Sequence, residues 1–242
     1  MNGNLIKYVK KLQKSSFRDS ENKILVEGIN AFKQAIKNGL KCNFIFLDKK
    51  YEKSLIDIKC EKFIKDSKTM DNMSSTKTSY GIESVFDMPK MNFNKNKNII
   101  FLDEIRDPGN VGTLIRSAVA FGITNIFLSR NSIDPFSPKV IRSSTGYLFR
   151  TFIKRDDYDI SYYKSLGYHI YGTDLNKKGK DLNKIKTIKP YILILGNEGR
   201  GISTNYLHIL DENIVLNISN NVDSLNVAVA GSIIMHYLYS NG

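Results

Sequence analysis

The chain has 242 residues, 41% hydrophobic and 25% charged, which suits one large globular domain or two small ones and excludes a disordered or collagen-like protein. Its 36 Lys+Arg against 24 Asp+Glu leave a net charge of +12, an excess that points to a polyanionic partner, with nucleic acid or an acidic membrane surface the first classes to consider. No run approaches the roughly 18–20 apolar residues of a spanning helix, and the N-terminus leads into no apolar signal segment, so a cytoplasmic location is expected. Cys42 and Cys60 lack zinc-ligand spacing and read as buried thiols rather than a disulfide.

The charge is unevenly spread. Residues 1–98 hold 20 Lys+Arg and 11 Asp+Glu, whereas 99–242 hold 16 and 13. Seven of the eight arginines (Arg106, Arg116, Arg130, Arg142, Arg150, Arg155, Arg200) lie in the second part of a sequence that otherwise writes positive charge as Lys. A guanidinium fork binds phosphate or carboxylate bidentately where an ammonium is a point charge, so these arginines are placed for geometry. The Asn-rich, aperiodic stretch after Pro89 reads as a linker, which divides the chain into 1–90, a linker at 91–98, and 99–242.

In chain order, amphipathic spacing predicts a basic helix over 5–12, a buried strand at 24–26, and a helix over 30–38 closed by Gly39. Strands follow at 44–48 and near 63–64, then a helix ahead of Gly81 and a strand at 82–86. This small α/β layer has no His, its acids are scattered, and a basic binding surface is its natural role.

The second part opens with the apolar run Ile99–Leu102, typical of a buried parallel strand. Asp107-Pro108-Gly109-Asn110-Val111-Gly112-Thr113 reads as a turn-rich loop that opens a helix over 114–121, followed by a strand at 126–128. Strand, Gly-containing loop, helix and strand is how α/β proteins build sites at strand ends. The strand at 191–195 runs into Gly196-Asn197-Glu198-Gly199-Arg200-Gly201, and the strand at 214–218 leads through a polar loop to Ser224-Leu225-Asn226-Val227 and a helix of small residues. Neither GxGxxG nor GxxxxGK[ST] occurs, which argues against nicotinamide cofactors and nucleotide hydrolysis.

At these three stretches the sequence resembles the SpoU (TrmH-like) branch of the SPOUT superfamily, whose members methylate RNA ribose 2′-hydroxyls with S-adenosylmethionine. Asn110, Gly112, Arg116 and Ala118 match the first motif, Gly196 to Gly199 the second, and Ser224 to Val227 with Ala230 the third. Less specifically, the first part resembles the small RNA-binding domain that precedes the catalytic domain in many members. Leu216-Asn217-Ile218 departs from the family's frequent Ile-Pro-Met.

The resemblance implies a mostly parallel α/β catalytic domain with a deep trefoil knot, a homodimer, and no need for a metal, since the sulfonium methyl is already electrophilic. It assigns Arg116, Asn110, Glu198, Ser224 and Asn226 to catalysis. Thr173, Leu195, Gly196, Asn197, Gly199, Leu216, Ile218 and Leu225 are assigned to the cofactor, and Arg18, Lys23 and Arg142 to RNA. Arg116 is implied either as the base that deprotonates the ribose or as a clamp on the phosphate that stabilises developing alkoxide; guanidinium is effectively always protonated, which bears on the choice. His169, His208 and His236 fall in no motif and read as structural. An rRNA substrate is the first expectation, with tRNA or a non-catalytic role in ribosome assembly as alternatives.

Overall fold

A computed structural model of the chain describes residues 2–173, 179–219 and 221–242. Its helices and strands begin with α1 (Asn2–Lys11), α2 (Ser15–Glu21), β1 (Lys23–Glu27), α3 (Ile29–Lys37), β2 (Cys42–Asp48), β3 (Glu61–Lys65), α4 (Ser67–Met73) and β4 (Ile82–Asp87). There follow β5 (Ile99–Leu102), α5 (Pro108–Ala120), β6 (Asn125–Ser129), α6 (Pro138–Ser143), β7 (Phe152–Asp156), α7 (Ile160–Ser165), β8 (His169–Thr173) and β9 (Lys180–Asp181). The last four are β10 (Tyr191–Leu195), α8 (Thr204–Leu207), β11 (Glu212–Val215) and α9 (Val227–Ser240). Two compact units result: residues up to Lys90 together with Asp134–Phe149, and Met91–Ile133 together with Arg150–Gly242. The excursion 134–149 is not contained in a single division of the chain near residue 99.

In the first unit, four strands in the order β1-β4-β2-β3 form a mixed sheet, with β2 and β3 parallel and the other pairs antiparallel. Alternation along β4 sends Val85 to one face, packed with Val9, Leu12, Leu25, Phe44, Phe46, Met70 and Met73, while Phe86 on the opposite face meets Phe32 of α3 at 5.7 Å. α6 lies along the outer strand β1. Cys42 and Cys60 are bonded to each other and only partly buried, which corrects the expectation of buried thiols. Cys42 opens β2 and Cys60 immediately precedes the adjacent β3, so their Cα atoms are 5.8 Å apart, within bridging range. Spacing in sequence carries no sign of that adjacency.

Glu27 and Glu83 face each other across β1 and β4, both fully buried. Glu27 accepts from the Ser75 N–H and hydroxyl, each at 2.6 Å, and pairs with Arg142. Glu83 accepts from the Ser79 hydroxyl at 3.0 Å, and burial, then the neighbouring Glu27 charge, push its carboxyl from 4.5 up to about 9. The folded chain therefore holds a proton that the unfolded chain releases above pH ~4.5, so this group lowers stability progressively as pH rises from ~4.5 to about 9, with no further loss beyond. Glu83→Gln keeps the acceptor and removes the titration. We expect it to stabilise the protein at pH 7 by on the order of 2 kcal/mol. Thermal unfolding at pH 5 and pH 8 checks this, because the gain should grow with pH; a constant gain, or a loss, contradicts it.

In the second unit, seven strands lie in the order β7-β6-β5-β10-β8-β11-β9, and every pair is parallel. β5, β6 and β10 are buried throughout, as expected for strands covered on both faces. The linker stretch forms no helix or strand but is anchored: Phe93 stacks within 5.8 Å of Phe127, and Asn94 exchanges hydrogen bonds with Asn125. Two element boundaries differ from expectation. The Pro108–Thr113 stretch is already helix, because the Asp107 side chain caps it through the Asn110 N–H at 2.8 Å and Pro108 occupies a first-turn position that needs no N–H. β11 ends at Val215, which leaves Leu216–Ile218 outside the sheet.

Candidate functional site

A parallel sheet presents its strand carboxyl ends along one edge, where connecting loops can form a crevice. Here the segments after β5, β10 and β11 converge with the end of β8 at Thr173. After β5, Asp103 is 1% exposed and accepts from both the N–H and the hydroxyl of Ser203, at 2.8 and 2.6 Å, tying this strand end to the segment after β10. Tyr206 packs on Phe101 at 4.9 Å, and burial, then the Asp103 charge, raise its phenol above the usual range.

The loop after β10 closes on itself. Asn197 N–H donates to Gly201 O at 2.9 Å, and Gly201 N–H returns a bond to Asn197 O at 2.8 Å. The Asn197 side chain accepts from the Gly199 N–H at 2.9 Å and donates to Glu104 O at 3.0 Å. A Cβ on Gly196 would lie 2.3 Å from the Gly201 carbonyl carbon, so only glycine permits this closure.

Three strand ends are then joined by side chains. Asn226 Nδ2 donates to Asn110 Oδ1 at 3.0 Å, and Asn110 Nδ2 donates to Glu198 Oε1 at 2.5 Å. Asn226 also caps α9, its Oδ1 accepting from Ala228 N–H at 2.9 Å and Val229 N–H at 3.4 Å. The cap is thus Asn226, and Ser224 is left exposed beside the cavity. α5 and α9 pack closely because Gly231 has no side chain where a Cβ would meet Leu114 and Leu195 at 2.6 Å, and Ser117 and Ser232 share a 2.6 Å hydrogen bond.

Beside this chain of polar groups is a small, open cavity of about 130 Å³. Six of the eight residues assigned to the cofactor line it: Thr173, Gly196, Asn197, Leu216, Ile218 and Leu225. Glu198 and Ser224, assigned to catalysis, line it too. Leu195 and Gly199 do not. The Leu195 side chain turns towards Gly231, and the Gly199 N–H is directed at Asn197. Sequence reasoning missed Ile214, Asp223 and Ile234, which also line the cavity. Asp223 directly precedes the third motif, the one signal that could have found it; Ile214 and Ile234 read as ordinary core.

Arg116 is exposed on α5 and makes no hydrogen bond or ion pair among the described residues. Asn110 is held by Glu198 and Asn226, and no hydrogen bond joins it to Arg116 among the described residues. The three cations assigned to RNA are engaged inside the first unit. Arg18 is 1% exposed, donates to Leu12 O at 2.7 Å and pairs with Asp134. Arg142 pairs with the buried Glu27, and Lys23 with Asp87, whose carboxyl is held below its usual range chiefly by that hydrogen bond. Each pairs with a carboxylate of the fold, Arg18 fully buried and Arg142 and Lys23 partly exposed. His169, His208 and His236 line no part of the cavity.

An apolar slot of Ile214, Leu216, Ile218, Leu225 and Ile234, polar backbone at Gly196, and carboxylates at Glu198 and Asp223 suit a ligand with a flat aromatic part and a positive charge. Together with the all-parallel sheet, this defines an α/β protein with a candidate small-molecule site at its strand ends. The SpoU rRNA Methylase family model matches residues 97–236, and a model of the MRM3-like substrate binding domain matches residues 3–83. The chain belongs to the SpoU rRNA methylase family. It is similar to the 23S rRNA (guanosine(2553)-2′-O)-methyltransferase RlmP of Bacillus subtilis, with 29% identity over 236 residues, 96% of this chain and 95% of that protein. It is 27% identical to rRNA methyltransferase 3, mitochondrial, of Mus musculus over 289 residues, 90% of this chain and 68% of that one. A TrmH-family structure from Porphyromonas gingivalis superposes with a TM-score of 0.84 at 29% identity, covering 97% of this chain and 96% of that one.

Proposed function

We propose that this chain is an S-adenosylmethionine-dependent RNA methyltransferase that modifies a ribose 2′-hydroxyl in 23S-type rRNA, in the cytoplasm. The observation that carries it is the Asn226–Asn110–Glu198 chain, which draws all three family motifs to the mouth of one cavity. The full-length likeness to RlmP supports the substrate class.

When bound, S-adenosylmethionine supplies a methyl group on a positively charged sulfur. Leu216, Ile218 and Leu225 would supply an apolar wall for the cofactor, and Glu198 and Asp223 would supply negative charge to hold its positive groups. Arg116, without a hydrogen bond or ion pair among the described residues, clamps the phosphate of the target nucleotide and stabilises negative charge on the 2′-oxygen as its proton leaves. Asn110, held from both sides, fixes the geometry between α5 and the loop after β10. We assign a trefoil knot to this domain with its family.

The chain works as a homodimer through the outer face of α9. Val229, Ile233 and Tyr239 on that helix are 48%, 43% and 57% exposed, an apolar surface beside the α5–α9 contact that a second copy would cover. Ile233→Asp is expected to convert a dimer into a monomer in sedimentation and to remove activity; an unchanged dimer contradicts this interface.

The activity is tested by transfer of labelled methyl from S-adenosylmethionine to isolated 23S rRNA, intact large subunits and tRNA. Labelling of rRNA or subunits over tRNA is expected. Labelling of tRNA alone replaces the substrate, and labelling of none favours a non-catalytic RNA-binding protein.

A further inference from the structure

At one end of the first sheet, β1 and β2 finish and β4 begins, as the pairings Glu27↔Glu83 and Leu47↔Ile82 require. Two tyrosines meet there. Gly81, at φ +77°, turns the chain from Tyr80 into β4, and a Cβ on it would lie 2.7 Å from the Tyr51 ring, so Tyr51 is seated directly against the backbone that follows Tyr80. Tyr80 is 51% exposed, a large aromatic ring facing solvent, and its hydroxyl has no partner among the described residues. One side of the ring is occupied: the Arg142 guanidinium carbon is 5.2 Å from its centroid. Arg142 is held in turn by Glu27 and by the Ser75 hydroxyl at 3.1 Å. The ring is thus fixed in orientation while half of it stays open.

The surrounding charge is positive and available. Lys50 lies over the Tyr51 ring at 5.2 Å, and Lys49, Lys50, Lys68 and Lys77 are exposed without ion pairs among the described residues. Three acids of this end make local hydrogen bonds, Asp48 accepting from Lys50 N–H and Ser67, Asp66 from Thr69 N–H and Asp71 from Ser79 N–H, while the Glu52 side chain is exposed without a partner among the described residues and is outnumbered by the four lysines. An aromatic ring held with one open side, amid unpaired ammonium groups, is the combination by which proteins take up single-stranded nucleic acid, with bases stacking on the ring and phosphates meeting the cations.

We infer that Tyr80 is a stacking platform for an unpaired base of the RNA substrate, with Lys50 and Lys77 on the flanking phosphates. This rests on the RNA reading above and names the place where the first unit would grip RNA. A protein partner is the less favoured occupant, since it would leave several ammonium groups facing an unspecified surface, whereas RNA neutralises them.

The test is direct binding of the full chain to a labelled short single-stranded RNA and to the same RNA annealed to its complement, without methyl transfer. The wild type should prefer the single strand. Tyr80→Ala should weaken single-strand binding about 10-fold, with Tyr80→Phe near wild type and the salt dependence unchanged. Lys50→Ala and Lys77→Ala should each lower the salt slope by about one. Thermal unfolding of each variant and its affinity for S-adenosylmethionine should match wild type. Equal affinity of Tyr80→Ala and wild type, an equal loss in Tyr80→Phe, or preference for the duplex overturns the site, as does a wild type that binds no RNA. Binding through Tyr80 without any methyl transfer would instead overturn the proposed activity and leave this site standing.

Discussion

Arg116→Ala should lower methyl transfer by at least about 10²-fold while leaving affinity for S-adenosylmethionine within about twofold of wild type. The size follows from removing a preorganised charge at the point where negative charge develops, which costs about 10²–10³ in kcat in comparable sites. The selectivity follows from position, because Arg116 is on the exposed side of α5 and lines no part of the cavity. Arg116→Lys separates its two possible roles. A phosphate clamp keeps part of its effect as a point charge, so Lys should retain intermediate activity with a raised KM for RNA. If the residue were the base, Lys, with its lower pKa, should shift the pH dependence of kcat to lower pH. Wild-type activity in Arg116→Ala would remove it from the site.

Gly196→Ala should abolish cofactor binding and destabilise the second unit together. The added Cβ would sit 2.3–2.4 Å from the Gly201 carbonyl carbon and oxygen and the Ile202 nitrogen, all backbone atoms that cannot rotate away. The paired hydrogen bonds between Asn197 and Gly201 must open to admit it, at about 3 kcal/mol. Because Gly196 and Asn197 both line the cavity, opening that bridge displaces its wall. Calorimetric titration with S-adenosylmethionine should show a Kd raised about 100-fold or more, with a lowered Tm. Gly199→Ala is the control. Its Cβ meets only Asn197 Oδ1 at 3.6 Å, and binding should persist. Equal behaviour of the two variants would show that the loop's closure does not shape the site.

The strand-end position of the motifs was legible in the sequence because each lies in the segment that follows an apolar strand, and local chemistry then sets the geometry: Asp107 and Pro108 start α5, and Asn226 starts α9. Contacts made over long separations were not legible. Arg18 and Arg142 looked like phosphate ligands because a guanidinium fork suits phosphate and carboxylate alike, and their partners Asp134 and Glu27 lie 116 and 115 residues away. The same limit hid the excursion 134–149, which joins the first unit although its sequence neighbours belong to the second. Extending the strand to Ile218 followed the apolar character of Leu216 and Ile218. Those side chains are apolar because they line the cavity, not because they continue β11.

The most direct measurement is the chemical position of the methyl group. After transfer of labelled methyl to 23S rRNA, the RNA is hydrolysed in alkali and the labelled product is separated. A ribose 2′-O-methyl blocks attack of that oxygen on the adjacent phosphate, so the expected label appears in alkali-resistant dinucleotides, and Arg116→Ala yields none. Label recovered in mononucleotides, which places the methyl on a base, would contradict the assignment of this site to ribose methylation.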